Sequence, residues 1–192
     1  HVGLWLALTG ARIKAADCEL TCIATDYVES ARIPDLKAAI VADPAAVETL
    51  LTEYEGDAGR PPLAAHQDEI ARLFAGGSVE AIVADLQAAG SDWAGEQLAI
   101  LATKSPQTMK VAFRQLKLGG ATTRFSDNMA MEYRIGARVV RRHDFLEGVR
   151  AVIVDKDNAP RWDPPTLEGV TEAMLDGIFA RLPSPEEWSA LP

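Results

Sequence analysis

What this chain lacks narrows it first. No run approaches the about 18 consecutive apolar residues that a membrane-spanning helix needs. Cysteine occurs twice and histidine three times, as His1, His66 and His143, scattered along 192 residues. No glycine-rich phosphate loop, dinucleotide fingerprint, HExxH, GxSxG or paired CxxC is present. No serine and histidine share a spacing that suggests a nucleophile and its base. No internal repeat or low-complexity stretch appears. The usual local signatures of phosphate, metal and nucleophilic chemistry are therefore missing, and no metal site is expected.

Positive charge is also scarce. Lysine and arginine number 19 against 28 aspartates and glutamates, a formal net charge of -9. That balance argues against a general nucleic-acid binder or a binder of anionic membranes. Cys18 and Cys22 lie four residues apart and would share one face of a helix; two small core residues is the expected reading. Nothing calls for an oxidising compartment, so a cytoplasmic location is expected.

Apolar residues make up 48% of the chain, enough to bury a core in one ordinary domain. HVGLWLALTG opens without Met, with an apolar run too short and too poor in basic residues for a signal peptide. That start resembles the middle of a domain, and the chain is expected to be a piece of a longer one. An exposed apolar patch at Leu4, Trp5, Leu6 and Leu8 would then need a partner.

The pattern along the chain is mainly helical. Gly3 to Leu8 reads as a helix end stopped by Thr9-Gly10, and Ala15 to Leu20 as a short helix. Ala24 to Val28, ATDYV, is the one strand candidate. Asp43-Pro44 opens a helix through AAVETLLTEY, and EGDAGRPPL (Glu55 to Leu63) is a loop, expected to be the most mobile segment. Helices are predicted at about Gln67–Ala75, Val79–Ala88 and Asp92–Thr103. Ser105-Pro106 caps another, with Met109, Ala112, Phe113 and Leu116 inward and Lys110, Arg114 and Lys117 outward. Thr122 to Arg142 reads as the longest helix, with one stripe of Phe125, Met129, Tyr133, Gly136 and Val140 and a second of Met131, Ile135 and Val139. Such a helix should pack on more than one side. Arg138, Arg141, Arg142 and His143 suit its C-terminal dipole, and Ser184 to Glu187 has the form of a capping box.

Four segments together resemble a known family. LALTGARIKAADCELTCIATDYV (Leu6 to Val28) is similar to the segment that follows the central active-site helix of the crotonase superfamily, the enoyl-CoA hydratases and isomerases. It is followed, in order, by KSPQTMKVAFRQL, by MEYRIGARVVRRHDFLEGVRA and by DKDNAPRW (Asp155 to Trp162). These blocks resemble the 3-hydroxyisobutyryl-CoA hydrolase branch, which the long helical stretch between Tyr27 and Lys104 also suits. The chain departs from the pattern at Cys22, where relatives often carry glycine, at Asp26, where this branch tends to have histidine, and at Val152, where many hydratases carry phenylalanine.

The resemblance implies a mainly α chain forming the C-terminal helical part of an α/β crotonase-like fold. Residues 1–30 would be the tail of the crotonase core and residues 31–192 a helical C-terminal region of the same domain. It implies a thioester hydrolase of valine catabolism, in which a carboxylate activates water and two backbone N–H groups hold the oxyanion. All those groups would lie upstream, so no catalytic residue is assigned within His1 to Pro192. Glu147-Gly148 would be a sharp turn opening the segment that covers the thioester, with Val149 and Ala151 to Val154 packed on the core and Trp162 anchoring the exit. Coenzyme A enters as part of the substrate, and no separate cofactor is implied. Its phosphates would meet Lys156 first, then Arg114 and Lys110. The implied partners are an acyl-CoA and the N-terminal half of the enzyme, with no nucleic acid and no membrane, and a homo-oligomer is left open. Two alternatives stand beside this: a hydratase or isomerase acting on another acyl-CoA, and a noncatalytic helical interaction module.

Overall fold

A computed structural model describes residues 1–189, so the last three residues of the region expected at 31–192 lie outside the described ones. The described residues are mainly helical and contain no strand, which meets the mainly α expectation. It divides into two compact units, residues 11–72 with Val2, and residues 3–10 with His1 and everything from Leu73 onward.

The smaller unit contains helices α2 (Ala15–Leu20), α3 (Ile33–Ala42) and α4 (Val47–Tyr54), with α5 (Gln67–Leu73) at its end. Its buried apolar residues include Ala16, Leu36, Leu63 and Ile70. Asp17, buried in α2, accepts from the Leu63 backbone N–H at 2.9 Å and so secures the end of the proline-rich loop. Asp43 accepts from Ala45 N at 3.2 Å, ahead of the short 3-10 turn that leads into α4. At the other end of α4 the Arg32 guanidinium donates to the carbonyls of Tyr54 (3.0 Å) and Glu53 (3.3 Å), which no intrahelical donor satisfies.

ATDYV is not a strand. Its backbone bonds run from Ala24 N to Cys18 O of α2 at 3.1 Å and to the Tyr27 carbonyl from Gly56 N at 2.8 Å, and these two do not make a ladder. The cysteines are both free, and Cys22 is exposed with φ 55 just past α2, so it is not a core residue.

The larger unit holds α1 (Val2–Thr9), α6 (Val79–Ala89), α7 (Asp92–Leu101), α8 (Pro106–Ala121), α9 (Phe125–Val139), α10 (His143–Val149) and α11 (Glu172–Phe179). Gly10 ends α1 in the left-handed conformation at φ 67, as Thr9-Gly10 predicts. The expected N-terminal patch is only partly exposed: Trp5 and Leu8 are buried, and the Trp5 indole N–H donates to Gln97 Oε1 at 2.8 Å. Four helices start on a hydroxyl cap. Ser78, Ser91, Ser105 and Thr171 accept from the N–H of Ala81, Ala94, Thr108 and Met174 at 3.0–3.3 Å.

One core cluster joins α8, α9 and α11 through Val111, Met131, Ile135, Val170, Leu175 and Ile178. Helix α8 extends five residues beyond Leu116 and buries Met109 and Val111, whereas Leu116 is exposed. In α9 only the Met131–Ile135–Val139 stripe packs inward; Phe125, Tyr133 and Val140 are exposed, so the helix is packed on one side within this chain. Arg138 lies in the last turn of α9, as expected, and also reaches a second helix. Its guanidinium donates to the carbonyls of Ile178, Ala180 and Arg181 and closes the C-terminus of α11. Ser184 to Glu187 opens no helix: Glu187 accepts instead from Leu182 N at 2.7 Å and pairs with Arg134 at 2.7 Å.

A buried polar latch completes this unit. Asp144, in the first turn of α10, accepts from the Ser105 hydroxyl and from Asp163 N at 2.8 Å, while Ser105 Oγ caps α8. Both side chains are buried. Asp144→Ala would leave two donors without this acceptor, and should lower stability by about 2 kcal/mol. The expected readout is a lower urea midpoint at unchanged slope; an unshifted midpoint would show that the latch adds nothing.

Candidate functional site

The segment from Glu147 to Trp162 combines charge, unusual backbone and adjoining clefts. The expected turn at Glu147-Gly148 is absent. Both residues lie in α10, which runs on into a π-helical turn, Arg150–Val154. Gly148 makes no bend, and a Cβ there would meet the Trp162 ring at 3.5 Å, an ordinary van der Waals contact, so neither a turn nor lack of space demands glycine at this position. Of the residues expected to pack inward, Ala151 is fully buried, but Val152, Ile153 and Val154 are 59%, 64% and 67% exposed. Phe145 is also exposed. In a helical conformation successive side chains fan around the axis, so a run of apolar residues cannot all face one core.

Beyond the π-turn, Asp155 to Trp162 forms a strap with no regular secondary structure. Side chains shape it. The Arg150 guanidinium donates twice to Glu147 (2.8 and 2.9 Å), once each to Asp155 and Asp157 (2.7 Å each), and once to the Ala159 carbonyl at 3.2 Å. Glu147 also accepts from Arg161 N at 2.8 Å, and Asp157 from Ala159 N at 2.9 Å. Ala151 O takes Asn158 N at 3.0 Å, and the Trp162 indole N–H donates to Thr103 O at 3.0 Å.

This network moves the acid–base balance of its members. Hydrogen bonds from Arg150, reinforced by Arg161 N–H, hold the Glu147 carboxyl down at about 2. The same guanidinium lowers Asp157, helped by Ala159 N–H, and Arg150 itself is raised by Glu147 first, then Asp157 and Asp155. His143 is raised chiefly by the Arg161 carbonyl, 2.8 Å from Nε2, which favours the protonated donor.

Lys156 and Asn158 sit in the strap at φ 57 and φ 52. Asparagine tolerates that conformation, but lysine adopts it at a cost of about 1–3 kcal/mol that the surroundings must sustain. Lys156 is exposed, and its ammonium has no partner among the described residues. Two clefts adjoin the strap. One of about 580 Å³ is lined by Lys104, Val152, Asn158, Pro160 and Trp162. A more apolar one of about 390 Å³, which includes Leu98, Leu101, Met109 and Leu167, shares Lys104 and Trp162 with it.

The other two sequence candidates lie elsewhere and are engaged. Lys110 pairs with Glu80 at 2.5 Å and donates to Val170 O at 3.1 Å. Arg114 pairs with Asp176 at 2.7 Å, approaches Glu172 at 3.7 Å and lies over the Phe179 ring. They line one hollow together, whereas the strap carries Lys156. Arg150 was not singled out by sequence, although its neighbours at -3, +5 and +7 are all acidic. No group of three or more metal-ligating side chains occurs among the described residues, and no described helix is long and apolar enough to cross a membrane.

A carboxyl depressed in the folded state contributes stability above its unfolded value and loses it as pH falls through the folded one. Glu147 should therefore support the strap at neutral pH and stop doing so between pH 4.5 and about 2. Glu147→Gln should be less stable than the parent at pH 7, with the gap closing across that window in parallel urea titrations. A gap that stays constant down to pH 2 would remove the charge from the account.

Comparison with known proteins gives this geometry a family. The family model described as enoyl-CoA hydratase/isomerase matches residues 1–179. The chain is 40% identical over 190 residues to the mitochondrial 3-hydroxyisobutyryl-CoA hydrolase of Xenopus tropicalis, covering 94% of this chain and 49% of that protein. With the Homo sapiens protein of the same name it shares 38% over 192 residues, 95% of this chain and 50% of that one. The chain thus spans about half the length of the curated relatives it matches. Among solved structures, a carnitinyl-CoA dehydratase from Mycobacterium thermoresistibile superposes with a TM-score of 0.86 at 32% identity, covering 95% of this chain and 52% of that one. An enoyl-CoA hydratase from Rhodobacter sphaeroides does so with a TM-score of 0.85 at 34% identity, covering 98% and 54%. The expected cytoplasmic location is overturned, since these hydrolases are mitochondrial proteins by name. The helical chain and these similarities agree: the chain belongs to the enoyl-CoA hydratase/isomerase family, the crotonases.

Proposed function

We propose that this chain is the C-terminal helical part of an acyl-CoA thioester hydrolase acting on 3-hydroxyisobutyryl-CoA in valine breakdown. The observation that carries the reading is the similarity to hydrolases of that name along nearly the whole chain. In the reaction a water, deprotonated by a carboxylate, attacks the thioester carbonyl. The tetrahedral oxyanion is held by backbone N–H groups, the C–S bond breaks, and the coenzyme A sulfur leaves with a proton. The carboxylate and the N–H pair belong to the part of the enzyme outside this chain.

This chain's contribution is recognition and enclosure. Lys156 stands on a side-chain-built strap with its charge unmatched, and the strap's Asn158, Pro160 and Trp162 line a cleft large enough for part of a cofactor-sized substrate. A coenzyme A phosphate there would gain a charge-assisted hydrogen bond. Lys110 and Arg114, already neutralised by Glu80, Asp176 and Glu172, hold α6, α8 and α11 together and rank below it. A second reading, hydration of an unsaturated acyl-CoA, is favoured by the two solved structures, whose names are those of a dehydratase and a hydratase.

The test is thiol release from 3-hydroxyisobutyryl-CoA by the complete protein and by the 192-residue chain. The complete protein should release free coenzyme A, and the chain alone should not. Lys156→Ala in the complete protein should raise KM several-fold, on the order of 1 kcal/mol of lost binding, while Lys110→Ala should act mainly on stability. Release of thiol by the isolated chain would place catalytic groups within it. Hydration of an enoyl-CoA without thiol release would select the second reading.

A further inference from the structure

We infer that Arg150 is a positioning residue for Lys156, fixing the strap so that the ammonium is presented to the phosphate-bearing end of the substrate. The inference rests on the reading of Lys156 given above and adds a residue that does not itself touch substrate.

The argument begins with how little else holds the strap. Between Asp155 and Ala159 its recorded backbone–backbone bonds are Asp155 N to Arg150 O and Asn158 N to Ala151 O. Two residues in this short stretch, Lys156 and Asn158, are left-handed, a conformation that an unconstrained lysine leaves readily. What brackets Lys156 on both sides is one guanidinium. Asp155, immediately before it, and Asp157, immediately after it, both accept from Arg150 Nη1 at 2.7 Å. Nη2 reaches the Ala159 carbonyl, and the remaining donors grip Glu147 in α10, which in turn takes Arg161 N.

Directing the two flanking carboxylates inward sends the side chain between them the other way. The cation also neutralises repulsion among three carboxylates that would otherwise crowd one spot. With Arg150 removed, Glu147, Asp155 and Asp157 repel one another, and Asp155 and Asp157 are free to turn toward Lys156 and quench it. Lysine cannot replace arginine here, because an ammonium offers three donors from a point, where the planar fork reaches four acceptor groups at once.

The test compares two thioesters of one acyl group, 3-hydroxyisobutyryl-CoA and 3-hydroxyisobutyryl-N-acetylcysteamine, which lacks the phosphates. With the complete enzyme, Arg150→Gln should raise KM for the coenzyme A ester about tenfold, and the penalty on the short ester should be at least about fivefold smaller. Arg150→Lys should not restore the parent value. Lys156→Met should show the same substrate dependence, and the double variant should be little worse than Lys156→Met alone, because the two residues act through one contact. If Arg150→Gln does not fold, Asp155→Asn with Asp157→Asn releases the strap from the same guanidinium and carries the same expectation.

Equal penalties on both esters, or additive effects in the double variant, would overturn the inference and leave Arg150 a structural residue. If Lys156→Met discriminates between the esters and neither the Arg150 nor the Asp155/Asp157 variants do, the inference fails while the reading of Lys156 stands. If Lys156→Met does not discriminate, that reading fails and the inference falls with it.

Discussion

The buried Asp144 carboxylate is the constraint from which the larger unit is organised. It receives the Ser105 hydroxyl and the Asp163 backbone N–H, so one side chain ties the start of α8, the start of α10 and the exit of the strap. Because the same Ser105 oxygen caps α8, helix initiation and strap closure share an atom. A buried carboxylate is costly unless its lone pairs are met, and here the sequence meets them from segments 39 and 19 residues away. With both ends of the 144–163 segment joined at this point, its geometry depends on the charges inside it.

Those charges form a second layer. Arg150 gathers Glu147, Asp155 and Asp157, and Glu147 passes the restraint on to Arg161. Exposed ion pairs contribute little stability singly, but a fork shared among several acceptors fixes direction as well as charge. The outcome is a strap that holds Lys156 exposed and, among the described residues, unpaired between two carboxylates already taken by Arg150, with the equally unpaired Arg161 guanidinium nearer its exit. The chain's overall charge of -9 gives that local arrangement its interest: under the proposed function, an anionic coenzyme A ester would need a defined cation to approach.

Much of the helical order was legible because it is written in neighbours. Thr9-Gly10, Asp43-Pro44 and Ser105-Pro106 act over three or four residues, and each marks a helix boundary in the structure. Which face of a helix is buried was less legible. Phe125, Tyr133 and Val140 make as good an apolar stripe as Met131, Ile135 and Val139, and only the positions of α8 and α11 decide between them. ATDYV has strand-forming residues but no partner among the described residues, and β propensity does not act without one. Gly148 looked like a turn because glycine permits one, whereas it lies inside α10 against the Trp162 ring. The family was readable from four ordered blocks. The hub at Arg150 was not, since the acidic spacing around it gains meaning only once the π-turn and the strap bring those carboxylates onto one guanidinium. Helix α11 also went unremarked, although Thr171 caps it in the ordinary way.

The most direct measurement of the central claim is the structure of the complete enzyme with coenzyme A bound. The account predicts Lys156 Nζ within hydrogen-bonding distance, about 3 Å, of a phosphate oxygen, with the Arg150 fork still closed on Asp155 and Asp157. Coenzyme A lying against the Lys110 and Arg114 face, or leaving Lys156 in solvent, would contradict it.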